Sequence, residues 1–226
     1  MGIPARQIGW STQDNLLWQI AKQMEQAGCQ LCDLNANIQG ISGTSGTSGT
    51  SAPLTVNYGL FAQTANSTPV SGTTVETSII NGGVGTLTVP ANAFSVGDSF
   101  RSMIGGVMDA ANNQTIRIRV KAGSIVLLDS GAQNLTSSIA DDIWSLELNF
   151  TVRQLGAAGV ASIASLGRFS YAKVNNGTVE GFGFNTVNNT TFDTTISNTL
   201  DITVEWGSNN AGNSIYSDVF VLNKIY

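Results

Sequence analysis

Apolar and polar residues alternate along three stretches in the second half of the chain. Ile116, Ile118 and Val120 are separated by cations, and the same period of two recurs over residues 146–153 and 200–206. Successive side chains of a β-strand point to opposite faces, so this alternation predicts strands with one buried and one solvated face. Signals typical of turns lie between such stretches: Asn112-Asn113, Ala122-Gly123, Asp141-Asp142, Asn175-Asn176-Gly177, Asn188-Asn189 and Asn209-Asn210-Ala211-Gly212. Many antiparallel strands at this spacing predict a sandwich or barrel over residues 54–226.

The last apolar segment differs from the other strands because it lacks alternation. Val219, Phe220, Val221 and Leu222 follow one another without a polar residue. A strand that is apolar on both faces is typical of the centre of a sheet, or of a contact between subunits. We therefore predict a central strand, with Val219 and Val221 at a subunit interface.

Near the N-terminus the hydrophobic period changes to that of a helix. Ser11 can cap it, with Asp14 in a capping-box position, and Gly28 weakens the later turns. Apolar positions then recur at intervals of four and three, as in the seam of a coiled coil. The residues predicted to anchor or oligomerise this segment are Trp10, Leu17, Trp18, Ile20, Met24 and Leu31. The alternative is a lone amphipathic helix that packs on its own domain.

Between the helical and the β pattern lies a Gly/Ser/Thr tract in which GTS is repeated from Gly43 to Ser51. Such a tract cannot bury enough apolar surface to offset the entropy of ordering it. We therefore divide the chain into an anchoring helical segment (1–41), a flexible linker (42–53) and a β domain (54–226). An engineered linker would have a similar composition.

Composition favours a β protein and argues against several other classes. Hydrophobic residues make up 42% of the chain and charged residues only 11%, with a formal net charge of −5. A negative chain with few cations does not predict nucleic-acid binding. No segment has the length of an apolar membrane span and the opening residues lack a secretory signal, so we expect no membrane insertion.

Candidate chemistry is sparse. The chain has no His, and its two cysteines, Cys29 and Cys32, lack the further ligands of a zinc site. A glycosidase-like carboxylate pair could be drawn from Glu180, Asp193, Asp201 and Glu205. Because Asp201 and Glu205 fall on the polar side of a predicted strand, a solvated face is the simpler interpretation. We therefore predict no catalytic residue, no cofactor and no metal, and interpret the glycines at 82–85 and 181–183 as turns or strand irregularities.

The opening residues 3–26, IPARQIGWSTQDNLLWQIAKQMEQ, resemble the N-terminal segment of structural proteins from tailed phages and some large DNA viruses. The stretches RQIGW (6–10) and NLLW (15–18) recur there ahead of unrelated C-terminal domains. The resemblance implies attachment to a virus particle through residues 1–41, and contact with other capsid or tail proteins.

The β region is similar in style to the domains at the ends of viral fibre proteins, and to trimeric jelly rolls of the tumour-necrosis-factor kind. This resemblance covers residues 85–226, with segments such as TIRIRVKAGSIVLLDSG and SDVFVLNKIY. It implies an antiparallel jelly-roll sandwich and a homotrimer. The two resemblances together predict a non-enzymatic virion protein, a fibre or decoration subunit with a host glycan or receptor as a further partner. The alternatives are a minor capsid or cement protein, and a carbohydrate-binding or carbohydrate-active β-sandwich.

Overall fold

The computed structural model describes residues 58–135, 138–173 and 178–226, which form two antiparallel β-sheets and no helix. The first, here called the large sheet, has the path β12-β11-β10-β6-β14-β1-β4, with β2 also paired to β14. Its strands are β1 (Tyr58–Gln63), β2 (Val70–Ser71), β4 (Gly83–Gly85), β6 (Ser99–Ala110), β10 (Ile139–Gln154), β11 (Ser162–Ala172), β12 (Val179–Asn188) and β14 (Ser214–Lys224).

The second sheet, here called the small sheet, has the path β3-β13-β7-β8, with β5 paired to β13 and β9 to β7. Its strands are β3 (Thr77–Ser78), β5 (Thr88–Val89), β7 (Thr115–Ala122), β8 (Ile125–Asp129), β9 (Gln133–Asn134) and β13 (Asn198–Trp206). The inward-facing side chains of both sheets join in one hydrophobic core. The predicted all-β antiparallel architecture is therefore confirmed for the described residues.

The three alternating stretches are strands, as predicted. Ile116, Ile118 and Val120 of β7 are fully buried, and β7 pairs along its length with β13. The prediction of a turn at Asp141-Asp142 was wrong, because β10 continues through both residues. The pairing of β10 with β6 shifts there, and Asp141 has a φ of 51°, so the extra residue forms a β-bulge.

The C-terminal strand β14 is central in the large sheet, between β6 and β1, as its apolar run predicted. Phe220 and Leu222 point into the core, whereas Val219 lies on the opposite face. Gly106 of β6 permits the close approach of β14 at a bulge, because a Cβ there would meet the carbonyl oxygen of Tyr216 at 2.1 Å.

The strand pairings are nested along the chain. β1 pairs with β14, β3 with β13, β6 with β10, and β7 with β8. The outermost pair therefore encloses the next, and the innermost pair is a hairpin. Two further pairings, β6 with β14 and β7 with β13, join the nested pairs sideways into the two sheets.

Strands β11 and β12 extend the large sheet beyond β10. Their inner side chains continue the core as an aromatic row, in which the Phe169 ring lies 5.8 Å from Trp144 and 5.1 Å from Phe182. The interpretation of Gly181 and Gly183 as turns or strand irregularities is wrong. Both lie within β12 in unbroken register with β11, on the face opposite its phenylalanines.

A buried ion pair lies beside the core at the end of β14. Lys224 Nζ lies 2.6 Å from Asp98 Oδ1, and both side chains are below a tenth exposed. The other carboxylate oxygen of Asp98 accepts a hydrogen bond from the Ser95 amide.

Residues 1–57, 136–137 and 174–177 lie outside the residues that the structure describes. They include the predicted helix with Trp10, Leu17, Trp18, Ile20, Met24 and Leu31, the 42–53 linker, both cysteines and the turn at Asn175-Asn176-Gly177.

Candidate interaction surface of the large sheet

The outer face of the large sheet is organised in rows that run across the strands. One row holds Val221, Met103, Glu147 and Arg168, and the next holds Val219, Gly105, Ser145 and Ser170. These residues alternate with buried ones on each strand, so they face away from the core. Three strands, β14, β6 and β10, therefore bring apolar residues that are distant in sequence onto one surface.

We call the apolar part of this surface the apolar patch. It consists of Met103, Val107, Ile143, Tyr216, Val219 and Val221. Met103 is 50% exposed, Val219 55% and Ile143 70%. Adjacent exposed apolar residues on a solvated sheet are typical of a surface that contacts another protein. The patch can therefore bury apolar area against a flat partner.

Both residues predicted at a subunit interface belong to the apolar patch. Val219 and Val221 lie on its β14 side, next to Gly105 and Met103 of β6. Sequence reasoning did not find Met103, Val107 and Ile143, because only the strand register places them beside β14. The exposed and half-buried positions of Val219 and Val221 are compatible with a contact surface, and their role at an interface stays a prediction.

A shallow groove lies on the same face, over β10, β11 and β12. Its volume is about 310 Å³. Ala164 forms its floor, because this residue is the smallest in the row that also holds Thr151 and Val187. The neighbouring row holds Asn149, Leu166 and Asn185. We call this the polar groove and define it by Asn149, Thr151, Arg153, Leu166, Asn185 and Val187.

The outer face of the small sheet is different, because its acids and bases pair with one another. We call this set the charged network, and it consists of Glu76, Arg117, Arg119, Lys121, Asp129 and Glu205. Arg119 is at its centre: its Nη1 lies 2.8 Å from Glu76 Oε2 and 2.7 Å from Glu205 Oε2. The Arg119 side chain is only 13% exposed, so water screens these ion pairs less than it screens pairs between fully exposed side chains.

Two carboxyl groups of the charged network have lowered pKa values. The hydrogen bond from Arg117 lowers the pKa of Asp129, more than partial burial raises it. Burial raises the pKa of Glu76, but hydrogen bonds from Thr203 and Lys121 and the charge of Arg119 outweigh it and leave the pKa below its ordinary value. Both carboxylates are therefore stabilised in their charged form.

The four carboxylates considered for catalysis each have a separate environment. Asp201 accepts a hydrogen bond from Ser78, Glu205 pairs with Arg119, and Asp193 accepts a hydrogen bond from Thr195. Glu180 pairs with Lys173 and accepts a hydrogen bond from Tyr171. Within the described ranges, no three His, Cys, Asp or Glu side chains are grouped as metal ligands, and no helix is long and apolar enough to cross a membrane.

Comparison with other proteins gives no relative for this chain: no family model matches it, and neither does any curated protein or solved structure. Functional interpretation therefore depends on the residues and their geometry.

Proposed function

We propose that this chain is a structural protein of a virus particle, a fibre or decoration subunit whose residues 1–41 attach it and whose β domain is displayed as a trimer. The proposed role is non-enzymatic. The apolar patch carries the proposal among the described residues, because a β domain that acts alone has no need of exposed Met103, Ile143 and Val219 on one face.

The attachment role depends on the resemblance of residues 3–26 to virion structural proteins. The apolar residues of that segment, among them Trp10, Leu17 and Trp18, need a surface on which to be buried. A particle protein would supply that surface. In this arrangement the 42–53 tract, which is rich in Gly, Ser and Thr, joins the attached segment to the displayed domain.

The finer assignment of the β domain is a jelly roll of the tumour-necrosis-factor kind. The nested strand pairing supports it, because a jelly roll is a long antiparallel ribbon folded over into two sheets. Here the ribbon is β1, β3, β6 and β7 paired with β14, β13, β10 and β8. In this reading β11 and β12 are an extension of the ribbon beyond β10.

Trimer formation through the apolar patch is tested by a single exposed substitution. Val219→Asp places a charge on a residue that is 55% exposed, so the isolated domain should keep its fold. In the assembly the same carboxylate would be buried without a partner, which costs several kcal/mol. Light scattering of the full chain should therefore change from a trimer to a monomer, and Val221→Asp should do the same.

The matched control is Val96→Asp, since Val96 is 62% exposed and lies outside the large sheet. It should leave the trimer intact. A wild-type chain that is monomeric by light scattering would contradict the trimer, and a Val219→Asp chain that stays trimeric would contradict the apolar patch as its contact.

Attachment is tested separately by removing residues 1–41. The shortened chain should no longer be incorporated into particles, while the full chain is. Normal incorporation of the shortened chain would contradict the attachment role. Imaging of the particle would separate a projecting domain from the alternative of a cement protein, whose β domain would lie between capsid subunits.

A further inference from the structure

The basic residues of the described domain are divided unevenly between its surfaces. Arg6 and Lys22 lie outside the described residues, and five of the remaining cations form ion pairs: Arg117, Arg119, Lys121, Lys173 and Lys224. Arg101, Arg153 and Arg168 form none with any described residue. All three lie on the outer face of the large sheet.

One of these arginines lines the polar groove. Arg153 follows Val152, which is buried, and its exposed side chain stands at the end of the groove that also holds Thr151. A guanidinium has five N–H donors in a planar fork that matches a carboxylate or sulfate. Because no described acid pairs with Arg153, these donors are available to a ligand.

The other groups of the groove suit a sugar ring. Asn149 and Asn185 flank Leu166 in one row, and neither amide side chain has a hydrogen bond to a described residue. Each amide offers a donor and an acceptor side by side, which matches neighbouring hydroxyl groups. Leu166 is 53% exposed and Val187 47%, so both can cover the apolar C–H side of a ring. The volume of about 310 Å³ lies at the small end of the range for ligand sites.

We infer that the polar groove binds an acidic saccharide, with its carboxylate or sulfate on Arg153, its hydroxyl groups on Asn149 and Asn185, and its ring against Leu166. This inference deepens the proposed function and rests on it, because it names the chemical class that the displayed domain recognises on a host surface. The groove lies over β10–β12, whereas the trimer contact proposed above is centred on β14 and β6. A ligand and the neighbouring subunits therefore occupy different parts of the face.

Calorimetric titration of the full chain tests the inference with defined probes. Sialyllactose carries a carboxylate, a heparin-derived disaccharide carries sulfates, and lactose is neutral. At least one acidic saccharide should bind at least about tenfold more tightly than lactose, the factor expected for one charge-assisted contact. The acidic saccharide that binds identifies the acid group. Absence of binding to both acidic saccharides would overturn the inference, as would inorganic sulfate that binds as tightly as the saccharide.

Substitutions locate the site. Arg153→Ala should weaken binding about tenfold or more, and Asn149→Ala should weaken it severalfold. Arg168→Ala is the matched control, because it removes the same charge from the same face but outside the groove, and should leave the affinity within about twofold. Equal losses in Arg153→Ala and Arg168→Ala would indicate general attraction of anions and would overturn the site. A chain that trimerises and enters particles but binds no saccharide would refute this inference alone.

Discussion

The outer faces of the two sheets differ in how their charged side chains are paired and in how many apolar side chains they expose. On the small sheet, every cation of the charged network has a carboxylate partner. Arg119 alone contacts three carboxylates, those of Glu76, Asp129 and Glu205. On the large sheet, Arg101, Arg153 and Arg168 have no such partner among the described residues, and Met103, Ile143 and Val219 are exposed on the same face. A face whose charges are satisfied internally needs no ligand. The large sheet is therefore the face with unused binding capacity, both apolar and ionic.

The buried pair of Lys224 and Asp98 should make the largest contribution of any single ion pair to the free energy of unfolding of this domain. Lys224→Met should lower the free energy of unfolding by about 3–5 kcal/mol, because Asp98 would remain buried without a counter-ion. Chemical denaturation measures this loss. Lys121→Met is the matched control, since the Lys121 side chain is 25% exposed, and it should cost no more than about 1 kcal/mol. Equal losses would mean that burial does not set the strength of these pairs.

The same substitution of one arginine on each outer face probes the comparison directly. Arg119→Leu should destabilise the domain by about 2–3 kcal/mol, because it leaves Glu76 and Glu205 without their shared cation in a partly buried setting. Arg168→Leu on the large sheet should change stability by less than about 0.5 kcal/mol. Thermal unfolding of both variants under the conditions of the wild type gives the result. Similar losses in the two variants would remove the distinction between the faces.

Much of this sheet arrangement is predictable from the sequence, because long strands with one wet face carry a period of two. The strands β7, β10 and β13 were found in this way. Short strands such as β3 and β5 were not, since two residues cannot show a period. The bulge at Asp141 resembles a turn locally, and only its pairing with β6 distinguishes the two.

The candidate sites were predictable only in part. The four consecutive apolar residues 219–222 predict a strand that is apolar on both faces, so the part of the apolar patch on β14 is predictable from the sequence. The polar groove could not, because Asn149, Leu166 and Asn185 come from three strands and none is unusual by itself. The charged network depends in the same way on Glu76, which reaches Arg119 from a distant loop.

Acid should weaken the charged network of the small sheet. The pKa values of Glu76 and Asp129 are lower in the folded chain than their ordinary values of 4.5 and 3.8. A lowered pKa in the folded state contributes stability above the ordinary value, and that contribution is lost as the pH falls through the folded pKa. The free energy of unfolding should therefore be level near neutral pH and fall as the pH drops below about 4. The variant with Glu76→Gln and Asp129→Asn should be less stable at pH 7 and depend less on pH. An unchanged acid transition in that variant would contradict this account.

The smallest expected difference in stability is between two variants that each neutralise one carboxylate, Glu205 on the small sheet and Glu147 on the large sheet. Glu205 lies 2.7 Å from Arg119, whereas Glu147 lies opposite Arg168 in register but forms no ion pair within 4.0 Å among the described residues. Glu205→Gln keeps the shape of the side chain and removes its charge, so it should cost about 0.5–1 kcal/mol, the range for a well-placed surface pair. Glu147→Gln should change the free energy of unfolding by less than about 0.5 kcal/mol, because no pair is lost. Adding salt should reduce the difference in stability between the two variants. Salt screens the Glu205–Arg119 pair, whereas Glu147 forms no ion pair with a described residue that salt could screen. Urea denaturation of both variants at low and high salt measures the effect. A Glu147→Gln variant as destabilised as Glu205→Gln would show that Glu147 and Arg168 are paired in solution, and that the two faces do not differ in the pairing of these carboxylates.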